Sequence, residues 1–194
     1  MIKLIAEGTL RTKFGEFTEY LFYDGQKESI ALVKGDIRGA SDVLCRIHSH
    51  CLTAHVFNSI ECDCREQMEL AQKKIEEEGR GLIVWLDQVG KDNGHMAELL
   101  SANLKAEGVP QTEAYQRLGY IKDARSFARA AEIIRSFDIA SVKLMTNSPQ
   151  KIKGLTDGGV KVSGIQEIYV APDNPDLHKT YLDKVNNQGH LIKL

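Results

Sequence analysis

Apolar and polar residues alternate through the first forty-five positions, the period-two pattern of half-buried strands. The pattern predicts strands in KLIAEGTLRT (3–12), EFTEYLFYD (16–24), ESIALVKGD (28–36) and DVLCRIHS (42–49). Turn chemistry in KFGE and DGQKE separates the first three, and GDIRGAS forms the loop before the fourth. The period then changes. CREQMELAQKKIEEEGR (64–80) carries Met68, Leu70, Ala71 and Ile75 at helical spacing, with Gly79 as its stop. GLIVWLDQ (81–88) is a short apolar run, expected as a strand buried on both faces. HMAELLSANLKAEG (95–108) is helical again and ends at a glycine. DARSFARAAEIIRSFD (123–138) reads as a further helix, with Phe127, Ala130, Ala131 and Ile134 on one face. Residues 141–168 read as strand, loop, helix, turn and strand, and 176–194 as a short helix with a tail.

The resulting fold class is α/β (α+β): a β-rich N-terminal part followed by alternating strands and helices. One domain over 1–194 is expected, with 1–45 mainly strands and 176–194 a C-terminal helix and tail. A β-sandwich with a separate helical cap is the alternative, and the strand–helix alternation after residue 80 opposes it.

Composition narrows the function classes. Hydrophobic residues make up 42% and charged residues 27%, as in soluble globular proteins. A formal charge of −2 gives no global electrostatic reason to expect nucleic acid or a membrane as partner. The apolar run GLIVWL is far too short to span a bilayer. The N-terminus meets charge at Glu7 and lacks the form of a signal peptide, so a cytoplasmic location is expected. Thiols stay reduced there, and clustered cysteines are better read as metal ligands or reactive thiols than as disulfides.

Such a cluster exists. HSHCLTAHVFNSIECDC (48–64) holds three of the four cysteines and three of the six histidines. Cys51, Cys62 and Cys64 stand as C-x10-C-x-C, a thiolate set suited to zinc. A structural zinc site closes all four corners, whereas a catalytic one leaves a corner for water, whose pKa then falls to ~7. Three clustered cysteines lean towards catalysis unless His48, His50 or His55 supplies the fourth ligand, and spacing alone leaves the two roles open. Cys45 falls in an apolar strand and reads as a small buried hydrophobe.

The residues around the cysteines carry a more specific signal. RIHSHCLTAHVFNSIECDCREQMELA, EEEGRGLIVWLDQVGK, QRLGYIKDARSF, LMTNSPQKIKGLTDGGVKV and YLDKVNNQGHLI together resemble the GTP cyclohydrolase II family, in order and spacing, over nearly the whole chain. The resemblance implies an α/β zinc enzyme, usually a homodimer, that opens the imidazole ring of GTP at C8, expels formate and releases pyrophosphate. It implies one Zn2+ per chain on Cys51, Cys62 and Cys64, Mg2+ with the triphosphate, and a place in riboflavin biosynthesis. Residues 46–175 would then form the zinc and nucleotide site. Asp123 and Arg125 fall on the family's proton acceptor and on the arginine proposed to attack the α-phosphorus. Because arginine stays protonated, charge stabilisation is the more conservative role. Without the resemblance, the two would read as a helix N-terminus with an acidic cap and a solvated cation. Nucleotide contacts carried over are Arg46, His48 and Ser49 of RIHS, Gln67, the loop Val89, Gly90 and Lys91, Gln111, Thr146 and Lys151.

Departures from the family pattern fall inside the same site. His50 stands where the family has glutamate, Val89 where it has an acid, and Lys91 where it has arginine. Guanine presents N1–H and 2-amino donors that valine cannot accept, and each buried donor left unmet costs ~1–3 kcal/mol. Ala102 replaces a tyrosine thought to help hydrolysis of the formyl intermediate, and the threonine expected near Gln111 is displaced to Thr112. The preferred expectation is therefore a zinc-dependent purine nucleoside triphosphate cyclohydrolase with altered base or product choice. An orthodox GTP cyclohydrolase II and a non-catalytic zinc and nucleotide-binding protein are the alternatives.

Overall fold

The structure is a computed structural model that describes residues 2–172 and 174–192. The last two positions of the expected tail, 193 and 194, lie outside the described residues. Seven strands and seven helices occur among the described residues, and the chain divides into two compact units. No helix among them is long and apolar enough to cross a membrane.

The first unit comprises Met1–His48, Glu66–Leu86 and Ser126–Val170. Its centre is one mixed sheet built from β1 (Lys3–Thr12), β2 (Gly15–Tyr23), β3 (Glu28–Lys34), β4 (Val43–Ser49), β5 (Gly81–Leu86), β6 (Val142–Met145) and β7 (Val162–Gln166). The strand order is β1-β2-β3-β5-β4-β6-β7, so β5 lies between β3 and β4. β1, β2, β3 and β5 pair antiparallel, whereas β4, β6 and β7 pair parallel. A single sheet with helices on its faces replaces the sandwich alternative.

Period-two alternation explains how the helices cover both faces. Ala31, Val33, Val43, Cys45, Leu82 and Val84 share one apolar cluster with Ala130, Ala131, Ile134 and Leu155 of α5 (Ala128–Ser136) and α6 (Pro149–Asp157). The intervening residues Leu32, Leu44 and Ile83 pack instead with Ala71 and Ile75 of α2 (Cys64–Glu78). GLIVWL is thus buried on both faces, as its unbroken apolar run predicts. Cys45 is fully buried within the core, and desolvation pushes its thiol up to about 12, the behaviour of a packed hydrophobe. β1 differs from the expected half-buried strand: it is an edge strand, exposed over most of its length, with a register shift between Leu4 and Ala6.

The second unit comprises Ser49–Arg65, Asp87–Arg125 and Ala171–Leu194. It contains α1 (Leu52–Phe57), α3 (His95–Ala106), α4 (Gln111–Arg117) and α7 (Pro175–Gln188), with a tight turn at Val89–Asp92. Neither α1 nor α4 is evident in the apolar pattern. Each spans fewer than two full turns, too short for a helical period to stand out. The helix expected over 123–138 begins later, at Ala128, with Phe127 in the capping position. Asp123 is therefore not a helix cap; its carboxylate is committed to Arg125 instead.

Candidate functional site

In the second unit, α1 begins directly after Cys51, and Cys64 is the first residue of α2, so two helix starts carry two of the three cysteines. Cys62 lies in the connecting loop, between a left-handed Asn58 and the start of α2. Arg65 braces this arrangement by donating from Nε to the Ala54 carbonyl at 3.0 Å and from Nη2 to the His55 carbonyl. The three Sγ atoms lie within 4.8 Å of one another, with Cys51 and Cys62 3.5 Å apart.

That geometry fits a thiophilic metal. Tetrahedral Zn–S bonds of ~2.3 Å place sulfurs ~3.8 Å apart. No histidine nitrogen or carboxylate oxygen joins the three sulfurs within this 4.8 Å group among the described residues. The donor set grouped here is therefore three thiols. Hydrogen bonds with Cys62 and Cys64 hold the Cys51 thiol low, and the hydrogen bond with Cys51, with burial adding to it, pushes the other two up. A divalent cation reverses that second effect by favouring thiolate at every ligand.

His50 turns elsewhere: its Nδ1 lies 3.2 Å from Asp87 Oδ1. Ser49 Oγ donates to Gln88 Oε1 at 3.3 Å. Burial depresses the His55 pKa.

A second cluster in this unit contains Lys91, Asp123 and Arg125. Arg125 grips the Asp123 carboxylate in a fork, with Nε–Oδ1 at 2.9 Å and Nη2–Oδ2 at 2.6 Å. The Arg125 backbone N–H donates to the same carboxylate at 3.2 Å. Burial works to raise the Asp123 pKa, but the Arg125 hydrogen bonds and charge outweigh it and hold the carboxyl below its ordinary value. Lys91 Nζ lies 3.8 Å from Asp123 Oδ2 and donates to Gln188 Oε1 at 2.7 Å. Burial first, and then repulsion from Arg125, pull the Lys91 amine down from 10.5 to about 8.

The turn that presents Lys91 is strained. Gly90, Lys91 and Asp92 all have positive φ (60°, 55° and 65°), at ~1–3 kcal/mol for each non-glycine residue. The Lys91 carbonyl accepts from Ala124 N at 3.0 Å, which fixes the turn against the Asp123–Arg125 segment. Gly90 is closely approached: a Cβ there would meet Glu98 Cβ at 3.4 Å and Tyr115 Oη at 3.5 Å. Gln111 Nε2 donates to that same Tyr115 hydroxyl at 3.2 Å. Desolvation, followed by the Cys51 charge, raises the Glu98 carboxyl.

The first unit holds the remaining expected contacts. Arg46 is 4% exposed, donating from Nη1 to the Met145 carbonyl at 2.9 Å and from Nη2 to Gln67 Oε1. Lys151 is 7% exposed and donates to the Ile47 carbonyl at 2.9 Å. Thr146 Oγ1 accepts from Ser148 N at 3.0 Å, and His48 is buried. The structure thus joins Arg46 to Gln67, and Lys91 to Asp123 and Arg125. Sequence reading passed over Asp63, Asp87, Glu98 and Tyr115. Only Asp63 carried a signal, as a charged residue between two cysteines in C-D-C.

Comparison with known proteins adds an independent line. A family model described as GTP cyclohydrolase II matches residues 3–167. A Bacillus cytotoxicus protein named riboflavin biosynthesis protein RibBA is 38% identical over 191 residues, covering 97% of this chain and 48% of that protein. A Bacillus cereus protein of the same name is 39% identical over 191 residues with the same coverage. The chain spans about half the length of the curated relatives it matches. A solved structure titled RibBX, a two domain 3,4-dihydroxy-2-butanone 4-phosphate synthase from A. baumannii, aligns at 16% identity and a TM-score of 0.49, covering 88% of this chain and 40% of that one.

Proposed function

The chain belongs to the GTP cyclohydrolase II family, and from that premise we propose that it hydrolyses the imidazole ring of a purine nucleoside triphosphate at C8 and releases pyrophosphate. GTP is the first candidate substrate and riboflavin biosynthesis the first candidate pathway, given the names of relatives 38–39% identical over 97% of the chain. The observation that carries the reading is the convergence of Cys51, Cys62 and Cys64 on one point without a fourth protein ligand among the described residues. Cys51, Cys62 and Cys64 would hold zinc, which would supply a Lewis acid able to activate water at neutral pH.

The remaining roles belong to the chain's own groups. Asp123, ionised and gripping Arg125 through two parallel hydrogen bonds, keeps that guanidinium charged and oriented. A protonated guanidinium is a poor nucleophile, so Arg125 stabilises phosphate charge and Asp123 aims it. Lys91, next to the same carboxylate, adds a second cation to the phosphate side. Arg46, His48, Ser49, His50, Gln67, the Val89–Gly90 backbone, Gln111, Thr146 and Lys151 are the nucleotide contacts proposed alongside them. Mg2+ with the triphosphate, a homodimer and a cytoplasmic location complete the proposal.

A second reading, altered base or product choice, has specific support: the Val89 side chain offers no acceptor to guanine and Ala102 no hydroxyl. Asp87 weighs the other way, because it brings a carboxylate to within 3.2 Å of His50, the residue standing where the family has glutamate. Incubating zinc-loaded protein with GTP, ITP and ATP, and identifying products by mass, separates the readings. Formate, pyrophosphate and a diaminopyrimidine from GTP support the orthodox enzyme. Ring opening of another base, or a formamide end product, supports the altered one. Zinc-replete protein that turns over none of the three sinks the catalytic proposal.

A further inference from the structure

The family model ends at residue 167, yet a later helix grips the loop that carries two of the three cysteines. The loop runs from Ile60 to Cys64, and α7 meets it along its length. Asn174, which caps α7 by accepting from Leu177 N at 2.9 Å, also donates from Nδ2 to the Ile60 carbonyl at 3.3 Å. Thr180 Oγ1 donates to the Glu61 carbonyl at 2.8 Å. Asp63, the residue between Cys62 and Cys64, has a fully buried side chain. Its carboxylate accepts from the Tyr181 hydroxyl and, at 2.8 Å, from Lys184 Nζ.

These contacts do more than fasten a tail. Tyr181 and Lys184 are three residues apart and share one helix face, so both reach a single carboxylate. A buried carboxylate deprived of its partners is strongly destabilised, which makes the position of Asp63 depend on α7. In C-D-C the central residue is joined to both cysteines by planar peptide bonds, so holding its position restricts where the flanking sulfurs can go. Tyr181 is fully buried and cannot easily turn away. The arrangement is that of groups behind a metal's ligands, whose loss typically weakens metal affinity ~10–100-fold.

We propose that α7 positions the metal ligands: Tyr181 and Lys184 hold Asp63, and through it set the spacing of the Cys62 and Cys64 sulfurs against Cys51. Both are positioning residues. The inference rests on the zinc-site reading above, and it extends the site to a segment outside the matched family model.

The test measures zinc affinity of the full-length protein by competition with a chromophoric chelator. It also records the thiolate-to-cobalt charge-transfer band after Co2+ substitution. The double variant Y181F/K184M should bind zinc at least about tenfold more weakly and show a shifted cobalt band, while its far-UV circular dichroism stays that of the wild type. Lys184→Arg, which keeps a cation and donors, should restore affinity to the wild-type range. If the double variant loses its fold, Tyr181→Phe alone, which keeps the buried ring, takes its place with the same expected directions. A folded variant with wild-type affinity and cobalt spectrum overturns the role of α7 and leaves the zinc reading intact. Wild-type protein that binds neither metal overturns both.

Discussion

Lys91 has an amine drawn to about 8 by burial and by Arg125, against an ordinary value of 10.5, so two pH effects of opposite sign follow. As a phosphate-binding cation it must be charged, and raising the pH through about 8 discharges it. The kcat/KM profile for the triphosphate should therefore fall above pH about 8, and Lys91→Arg should flatten that limb. Superimposable profiles would remove Lys91 from phosphate binding. Folding responds in the other direction. Between about 8 and 10.5 the unfolded chain binds more protons at this lysine than the folded one, so its contribution to stability rises with pH across that window. Below it the lysine is protonated in both states and contributes no slope. The cysteines permit a blunter check: Cys62→Ser should abolish stoichiometric zinc and ring-opening activity together, read by metal analysis and product formation. Activity that persists without zinc would refute the metal role.

Helices and strands here are set by how closely their backbones approach. Gly81 opens β5 where a Cβ would lie 2.7 Å from Ile75 Cγ1 of α2 and 2.8 Å from the Leu44 carbonyl of the neighbouring strand. The Leu44 backbone cannot yield, so Gly81→Ala should destabilise by ~1–3 kcal/mol, measured by denaturant unfolding. An unchanged midpoint would show that the α2 contact relaxes freely. Long elements were legible without coordinates because their patterns repeat: α2 shows four apolar positions at helical spacing, and β5 an unbroken apolar run. Short ones were not. The six-residue α1 and seven-residue α4 hold too few positions for a period, and α5 begins at Ala128 rather than at Asp123, whose carboxylate has the form of a cap. A side chain able to cap a helix is equally able to bind an arginine two residues on, and local sequence does not distinguish the two uses.

The three thiols all fall within one compact unit, so metal binding should stabilise that unit selectively. Stripping zinc should speed amide exchange over residues 49–65, while β3 and β5 keep their protection, as followed by hydrogen–deuterium exchange with mass spectrometry. Uniform acceleration across both units would refute that localisation. Much of the chemistry was readable from residue order alone: the C-x10-C-x-C spacing, the family signature, and the α/β class all depend on contiguous stretches whose meaning is local. Other features required the folded chain. No local rule says where the neighbouring histidines turn, and the packing brings His50 Nδ1 to within 3.2 Å of Asp87 Oδ1. Nor does spacing reveal that Tyr181 and Lys184, 118 and 121 residues from Asp63, hold the residue between two of the clustered cysteines. The cysteines point to a thiophilic metal because ligand chemistry is carried by residue type. How those cysteines are held depends on contacts between distant segments, which form only when burial brings those segments together.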